Sequence, residues 1–573
     1  MKKLFLLVVL PLLVYGQVNN SVKFSPELND WMSNPGNAGS VKVWVDFTDK
    51  GENLRMLLDP ESFLSKRSIQ RRSLRGDAIN ETDLPLSSGY LNDLTESGVR
   101  IISKSKWFNS VTVNADKSTL QKLVQKSFVK KISLVAKGKS VSSLSNDGIL
   151  TQASTVKSES INSLDYGESL AQLAPQQIPM AHTMGFDGSG VFICLMDAGF
   201  NNLAHEVYDS LRIVSTWDFV NNDPDVGDGG MGNGSHGTAT LSVIGGYKPG
   251  KLIGTAYRAN YLLAKTENTD TETPAEEDFW IAAAEWADSI GVDVTSTSLV
   301  YLEFDPPFTS YTWQDMDGNT ARITKGADLA VKKGIVVFNS AGNSGFHATQ
   351  NTLAAPADGD SVITIGSINA DGSRSGFSSV GLTVDGRIKP DLMAVGSAVY
   401  SAAPGGRTNY SYTSGTSLAC PIAAGVAALL LQKNPNLTPI QIREILRNTA
   451  SQSTAPDRLM GWGVMNAVAA LNNVPSGIET GEITLPEGMV LLGNYPNPFN
   501  PTTTVYFTLS GEKYISLKLY TSTGELVKTV AEGTYSAGTS KIMLDAAGLS
   551  SGNYFLLLND GTKIYTQKLS TLK

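Results

Sequence analysis

The spacing of apolar residues changes character several times along the chain. Met1-Lys2-Lys3 is followed by an apolar stretch over 4–14 that ends in Tyr15-Gly16, too short to span a bilayer; 1–16 reads as a signal peptide. From 17 to 137, alternating pieces such as Val41-Lys42-Val43-Trp44-Val45-Asp46-Phe47 and Ser110-Val111-Thr112-Val113-Asn114 predict strands. A helix is expected over 120–129 and a further strand over 129–135, which makes a small α+β domain. The basic stretch Ser65-Lys66-Arg67-Ser68-Ile69-Gln70-Arg71-Arg72 reads as a solvated helix face. Residues 138–165, rich in Ser, Thr, Asn and Lys, suit an exposed linker.

Between 166 and 474 the pattern is that of an α/β domain. Short apolar runs at 191–196, 261–264, 292–295, 335–338 and 362–365 predict buried strands. They alternate with helical stretches at 237–244, 275–289, 320–333, 422–431 and 439–448, as in a parallel sheet flanked by helices. The last helix opens on Thr438-Pro439-Ile440-Gln441, a capping box with proline at the first helical position. A linker over 475–486 leads to 487–573. There, short runs at 504–509, 515–520, 525–530, 541–544 and 554–558, punctuated by Thr523-Gly524 and Ser551-Gly552-Asn553, predict a small β-sandwich.

The 573 residues are too many for one ordinary domain. The net charge of −8 argues against nucleic acid as a general partner. Cys194 and Cys420 are the only cysteines, so disulfides do not build the fold; two buried free thiols are expected. Beyond the leader, no segment reads as a transmembrane span.

Tyr412-Thr413-Ser414-Gly415-Thr416-Ser417-Leu418-Ala419-Cys420-Pro421 feeds the apolar 422–431 helix. Gly415 permits a sharp turn, Pro421 suits a first helical turn, and Ser417 at the helix start is a candidate nucleophile beside a backbone N–H and the positive end of the helix dipole. Taken alone, the block reads first as a helix cap, and partners elsewhere in the chain must decide. The four histidines all precede Ser417. His236, set among glycines in Asn233-Gly234-Ser235-His236-Gly237-Thr238, is the candidate base, and Asp197, closing the run Val191-Phe192-Ile193-Cys194-Leu195-Met196, is the candidate acid. His182, His205 and His347 lack such settings and read as structural or solvated. An α/β-hydrolase lipase or esterase would run serine, acid, histidine, and is disfavoured.

The order Asp197, His236, Ser417 and the blocks Met196-Asp197-Ala198-Gly199, His236-Gly237-Thr238 and Gly415-Thr416-Ser417-Leu418-Ala419-Cys420-Pro421 resemble the signatures of subtilisin-like serine proteases. Ser340-Ala341-Gly342-Asn343-Ser344-Gly345 resembles the block that carries their oxyanion-hole asparagine. The resemblance covers roughly 166–474. It implies a serine endopeptidase acting on proteins or peptides through an acyl-enzyme, with Asn343 as oxyanion donor. A non-enzymatic adhesin that kept the fold is disfavoured because every catalytic position is filled.

By the same resemblance, Ser298, Leu299 and Val300 correspond to the substrate-binding strand, with Val300 in place of its usual glycine. Ser340 and Ala354 correspond to walls of the primary specificity pocket and imply a medium-sized apolar residue before the cut. No cofactor is required for catalysis. The family often holds structural calcium, for which the acidic loop Asp223-Pro224-Asp225-Val226-Gly227-Asp228 offers oxygens without EF-hand spacing; no ligands are assigned. The acidic stretch from Thr266 to Asp278 should border the non-primed cleft, where Glu267, Asp270 and Glu272 would face basic substrate residues. Residues 17–137 resemble in pattern and position the inhibitory propeptide, itself a partner of the catalytic domain. Asn494-Tyr495-Pro496-Asn497-Pro498-Phe499-Asn500-Pro501 and the short strands after it resemble the sorting domain of the bacterial type IX secretion system, which implies secretion or display outside a two-membrane bacterium.

Overall fold

The computed structural model describes residues 23–135, 164–475 except 307, and 489–571 except 496–498, 500, 510, 522–524, 537 and 562–563. The expected leader at 1–16, residues 138–163 of the expected 138–165 linker and 476–486 of the expected 475–486 linker lie outside these residues, as does much of the 494–501 motif. Contacts divide the chain into two units, Met1–Ser476 and Gly477–Lys573.

The first unit is built on a seven-stranded sheet in the order Leu392–Val395, Ile363–Ile368, Val336–Ser340, Val294–Thr297, Phe192–Asp197, Asn260–Lys265, Arg212–Asp218. Every neighbouring pair is parallel. Helices cover both faces, so the strands have two apolar sides and read as continuous hydrophobic runs. The Phe192–Asp197 strand shows the division of labour. Ile193 and Leu195 join the core beneath the helices His236–Gly245 and Thr416–Lys433, while Cys194 and Met196 join the core beneath Ala275–Ile290 and Arg322–Lys332. The expected strands and helices of this region are present, with the 292–295 strand displaced to Val294–Thr297. Arg212–Asp218 escapes the pattern because it is an edge strand whose Ile213 and Val214 are exposed.

Thr416–Lys433 is the one helix among the described residues long and apolar enough to cross a membrane, and it is buried within the fold. A helix apolar on all sides is what the centre of a large core requires.

Ahead of this domain lies a four-stranded antiparallel sheet in the order Ile101–Ser105, Ser110–Asp116, Ser40–Phe47, Val129–Leu134. Strand alternation gives it two faces. Val43, Val45, Val111 and Val113 close a core with Leu94 and Leu120 from the helices Ser88–Glu96 and Lys117–Leu123. Trp44 and Thr112 point the other way, onto the Ala275–Ile290 helix. Trp44 Nε1 and Thr112 Oγ1 donate to Asp278 at 3.0 and 2.6 Å. Glu285, on the same helix, accepts from Ser105 Oγ (2.5 Å) and from the backbone N–H of Lys106 and Trp107. The basic stretch departs from expectation. It forms the helix Lys66–Arg75, capped by Ser65, but Arg71, Arg72 and Arg75 are buried instead of solvated, because carboxylates of the central domain meet them.

In the second unit, a three-stranded sheet (Met489–Tyr495, Thr502–Leu509, Gly538–Asp545) and a four-stranded one (Leu526–Tyr535, Lys513–Thr521, Gly552–Asn559, Ile564–Thr571) enclose a core of alternate residues, among them Val505, Phe507, Ile515, Leu517, Leu556 and Leu558. This is the expected β-sandwich.

Candidate active site

Asp197 ends its strand at the C-terminal edge of the sheet, and its side chain is buried. His236 is the first residue of the His236–Gly245 helix. Two glycines let these segments meet. A Cβ on Gly234 would lie 1.8 Å from the carbonyl oxygen of Ala198, and one on Gly237 would lie 2.4 Å from that of Gly199. With backbone packed on backbone, His236 Nδ1 comes within 2.7 Å of Asp197 Oδ1. The carboxylate is held by two further donors, the Ala198 N–H on Oδ1 and Thr240 Oγ1 on Oδ2, both at 2.8 Å. A carboxylate only accepts, so Nδ1 of the neutral ring carries the proton and Nε2 is left as the acceptor. Thr240 is not singled out by the sequence, although it stands four residues after His236 and therefore on the same helical face.

Ser417 is the second residue of Thr416–Lys433, a helix that begins six residues earlier than the expected 422. Pro421 thus lies inside the helix, where it withholds the N–H that Ser417's carbonyl would accept. Ser298 Oγ takes that place, donating to the Ser417 carbonyl at 2.8 Å. The start of the helix is closed by Asn343, whose Oδ1 accepts from both the N–H and the hydroxyl of Thr416 at 3.0 Å. Because a backbone N–H can only donate, this bond fixes which end of the Asn343 amide is oxygen, and Nδ2 faces the serine. Gly415 is extended, with φ 165°, so it is required for space and not for a special turn. A Cβ there would sit 2.7 Å from Ser417 Oγ, and Ser417 N and Asn343 Nδ2 lie 3.7 Å from the same point. The serine hydroxyl and two N–H donors are therefore gathered in one small volume. The Ser417 N–H is among the first four of its helix and has no acceptor within it.

The residues expected at the substrate side also converge here. Ser298, Leu299 and Val300 follow the Val294–Thr297 strand and are half-buried. Tyr301 exchanges two backbone hydrogen bonds with Ala355, which sets buried Ala354 beside that segment, and Ser340 ends the neighbouring strand. The acidic stretch departs from expectation at Glu267. Glu267 is buried and accepts from the Tyr301 hydroxyl, and Asp270 accepts from the Gly232 N–H at 2.9 Å. Glu267 is committed within the protein, whereas Asp270 and Glu272 are exposed. Glu276, Glu277 and Asp278 are buried as well.

In the acidic loop, Asp223 and Asp225 accept N–H groups of their own turn. Its carbonyls, with their neighbours, converge on a buried ammonium: Lys265 Nζ donates to Gly227, Met231 and Gly232 oxygens at 3.2, 3.1 and 2.9 Å and pairs with Asp218 at 3.1 Å. A lysine thus supplies positive charge at this loop. Among the described residues, Glu267, Glu272 and Glu276 are the carboxylates close enough together to share a cation, within 4.8 Å of one another.

The remaining candidates have structural settings. His182 is buried between the Tyr166 hydroxyl and the Thr255 carbonyl, His205 is buried against the Asn409 carbonyl, and His347 caps an exposed turn. Cys194 and Cys420 are free and buried, and burial raises both thiols, Cys420 to about 12, so neither is reactive at neutral pH.

Three segments of the chain match known protein families. Residues 188–463 match the family described as Peptidase_S8, the subtilase family. Residues 42–152 match the Peptidase S8 propeptide domain of Bacteroidota, and residues 494–571 match the secretion system C-terminal sorting domain. Subtilisin DY of Bacillus licheniformis is 31% identical over 305 residues, which span 52% of this chain and 99% of the relative. Subtilisin NAT of Bacillus subtilis subsp. natto is 28% identical over 406 residues, 71% of this chain and 91% of the relative. A solved cold-adapted subtilisin-like serine proteinase is 32% identical, covering 49% of this chain and 88% of its own, with a TM-score of 0.37. The chain belongs to the subtilase family. It is a serine-type endopeptidase made with a propeptide, and it carries the sorting domain of a secreted or cell-surface protein.

Proposed function

We propose that Asp197, His236 and Ser417 form the catalytic triad, with Asn343 Nδ2 and the Ser417 N–H as the oxyanion hole. The observation that carries this is the 2.7 Å Asp197–His236 bond, together with the clustering of Ser417 Oγ, Ser417 N and Asn343 Nδ2 about Gly415. In this reading Ser417 Oγ attacks the peptide carbonyl and His236 Nε2 takes its proton. The carbonyl oxygen, now an anion, is met by the two N–H donors. The imidazolium, stabilised by Asp197, then gives its proton to the leaving amine, and water repeats the sequence on the acyl-enzyme. No cofactor enters these steps, whatever calcium does for stability.

Ser340 and Ala354 offer small uncharged walls, which supports a medium-sized apolar residue before the cut. The chain acts on itself within 138–165, and its sorting domain directs export across the outer membrane by the type IX route. A fluorophosphonate tests the nucleophile. Peptide mass spectrometry should place the adduct on Ser417, and His236→Ala should slow labelling by at least about a hundredfold. An adduct elsewhere, or labelling at an unchanged rate without the histidine, would contradict the assignment.

A further inference from the structure

The Lys66–Arg75 helix is seated where two helices of the catalytic domain end. Ala275–Ile290 and Arg322–Lys332 both leave carbonyls without partners at their C-termini, the negative ends of their dipoles. The basic helix fills this need. Ser65 N and Oγ donate to the Ser289 and Ile290 carbonyls at 2.9 and 2.7 Å. Arg67 donates to Gly291 (3.0 Å) and Gly190 (3.2 Å), Arg71 to Val292 and to Lys333 (3.0 Å), and Arg75 to Gly334 (2.6 Å).

Two carboxylates complete the arrangement. Asp288 accepts from Arg71 and Arg72 at 2.5 and 2.6 Å, and Asp293 from Arg75 at 2.8 Å and from Arg67. One charge crosses in the opposite sense: Asp83 of the propeptide pairs with Lys333 at 2.9 Å. Asp293 also exchanges hydrogen bonds with Phe192, the first residue of the strand whose last residue is Asp197. The contact therefore lies at the opposite end of the sheet from the candidate triad, roughly 17 Å away at the rise of an extended strand. Lys106 joins it to the contacts made by the propeptide sheet: its N–H donates to Glu285, while its Nζ donates to Ser289 Oγ at 2.6 Å and lies 4.0 Å from Asp288.

We propose that the Lys66–Arg75 helix is a second anchor of the propeptide, gripping the catalytic domain through guanidinium groups far from the cleft and retaining the propeptide after it has been cut. The proposal rests on the reading that the propeptide is severed within 138–165. Apolar contacts would tighten in salt, but this anchor is built from charges that recover their hydration on release. It is accordingly a reversible, salt-sensitive hold, and it needs arginine because a lysine cannot reach carboxylate and carbonyl together with a planar fork.

The test uses the full chain carrying Ser417→Ala, with the recognition sequence of an unrelated site-specific protease placed between 138 and 163. The cut then owes nothing to the chain's own chemistry, so failure of the triad assignment leaves this measurement intact. Gel filtration after cutting reports how long the propeptide stays. At low salt it should co-elute with the remainder, and about 1 M salt should shorten the half-time of release at least about tenfold. Arg71→Gln with Arg75→Gln should do the same at low salt, as should Asp288→Asn. Should these variants fail to fold, ethylguanidinium against sodium at equal ionic strength, applied to the unaltered interface, should still speed release. Prompt release at low salt, or release indifferent to salt and guanidinium, would overturn the anchor.

Discussion

Burial of the Glu267 carboxyl outweighs its hydrogen bonds from Tyr301 and Thr266 and raises it from 4.5 to about 7. The folded protein therefore keeps a proton there that the unfolded chain has already lost. The stability this contributes is fully present below about pH 4.5 and is lost as pH rises through 7. Glu267→Gln stays neutral throughout. Urea unfolding of both chains across this window should show the variant gaining on the wild type from about pH 4.5 to 7, and a constant difference would contradict the account. At this scale the sequence exposes the residues set in distinctive blocks, Asp197, His236, Asn343 and Ser417. Thr240 and Thr416, which hold Asp197 and Asn343, do not stand out, because a threonine near a helix start has several ordinary uses. Glu267 reads wrongly as facing substrate because composition cannot tell a buried carboxyl from an exposed one.

The serine helix shows how an element departs from its own propensities. Local signals place its start after Pro421, whereas it begins at Thr416 because Asn343 caps its first N–H and Ser298 satisfies the carbonyl that Pro421 leaves open. Ser298→Ala should cost about 1–3 kcal/mol, the penalty of a buried acceptor left unpaired. Adding Pro421→Ala restores an N–H for the Ser417 carbonyl, so the double variant should recover most of that loss. Thermal or urea unfolding of the full chain checks this; additive losses in the double variant would refute the compensation. The basic helix is misread for a related reason. Its charges look solvated because their partners, Asp288 and Asp293, lie more than 200 residues away in the chain. The edge strand Arg212–Asp218 is invisible for want of any buried alternation. Helices with one clear apolar face and strands buried on both sides are legible within two or three residues.

At the scale of the whole molecule, the α+β propeptide, the α/β catalytic domain and the β-sandwich are legible as three changes of hydrophobic period. How the first two fit together is not, since it depends on buried polar contacts, Asp278 and Glu285 against the propeptide sheet and the arginine helix against two helix ends. The central claim is that one serine makes this chain an endopeptidase that matures itself. The most direct test is the intact mass of the purified full chain before and after incubation, for wild type and Ser417→Ala, with casein hydrolysis measured alongside. The wild type should be cut within 138–165 and digest casein. The alanine chain should keep its mass, and its casein hydrolysis should fall on the order of 10⁶-fold, the loss seen when a subtilisin's nucleophile is removed. An alanine chain that matures and digests casein at the wild-type rate would contradict the account.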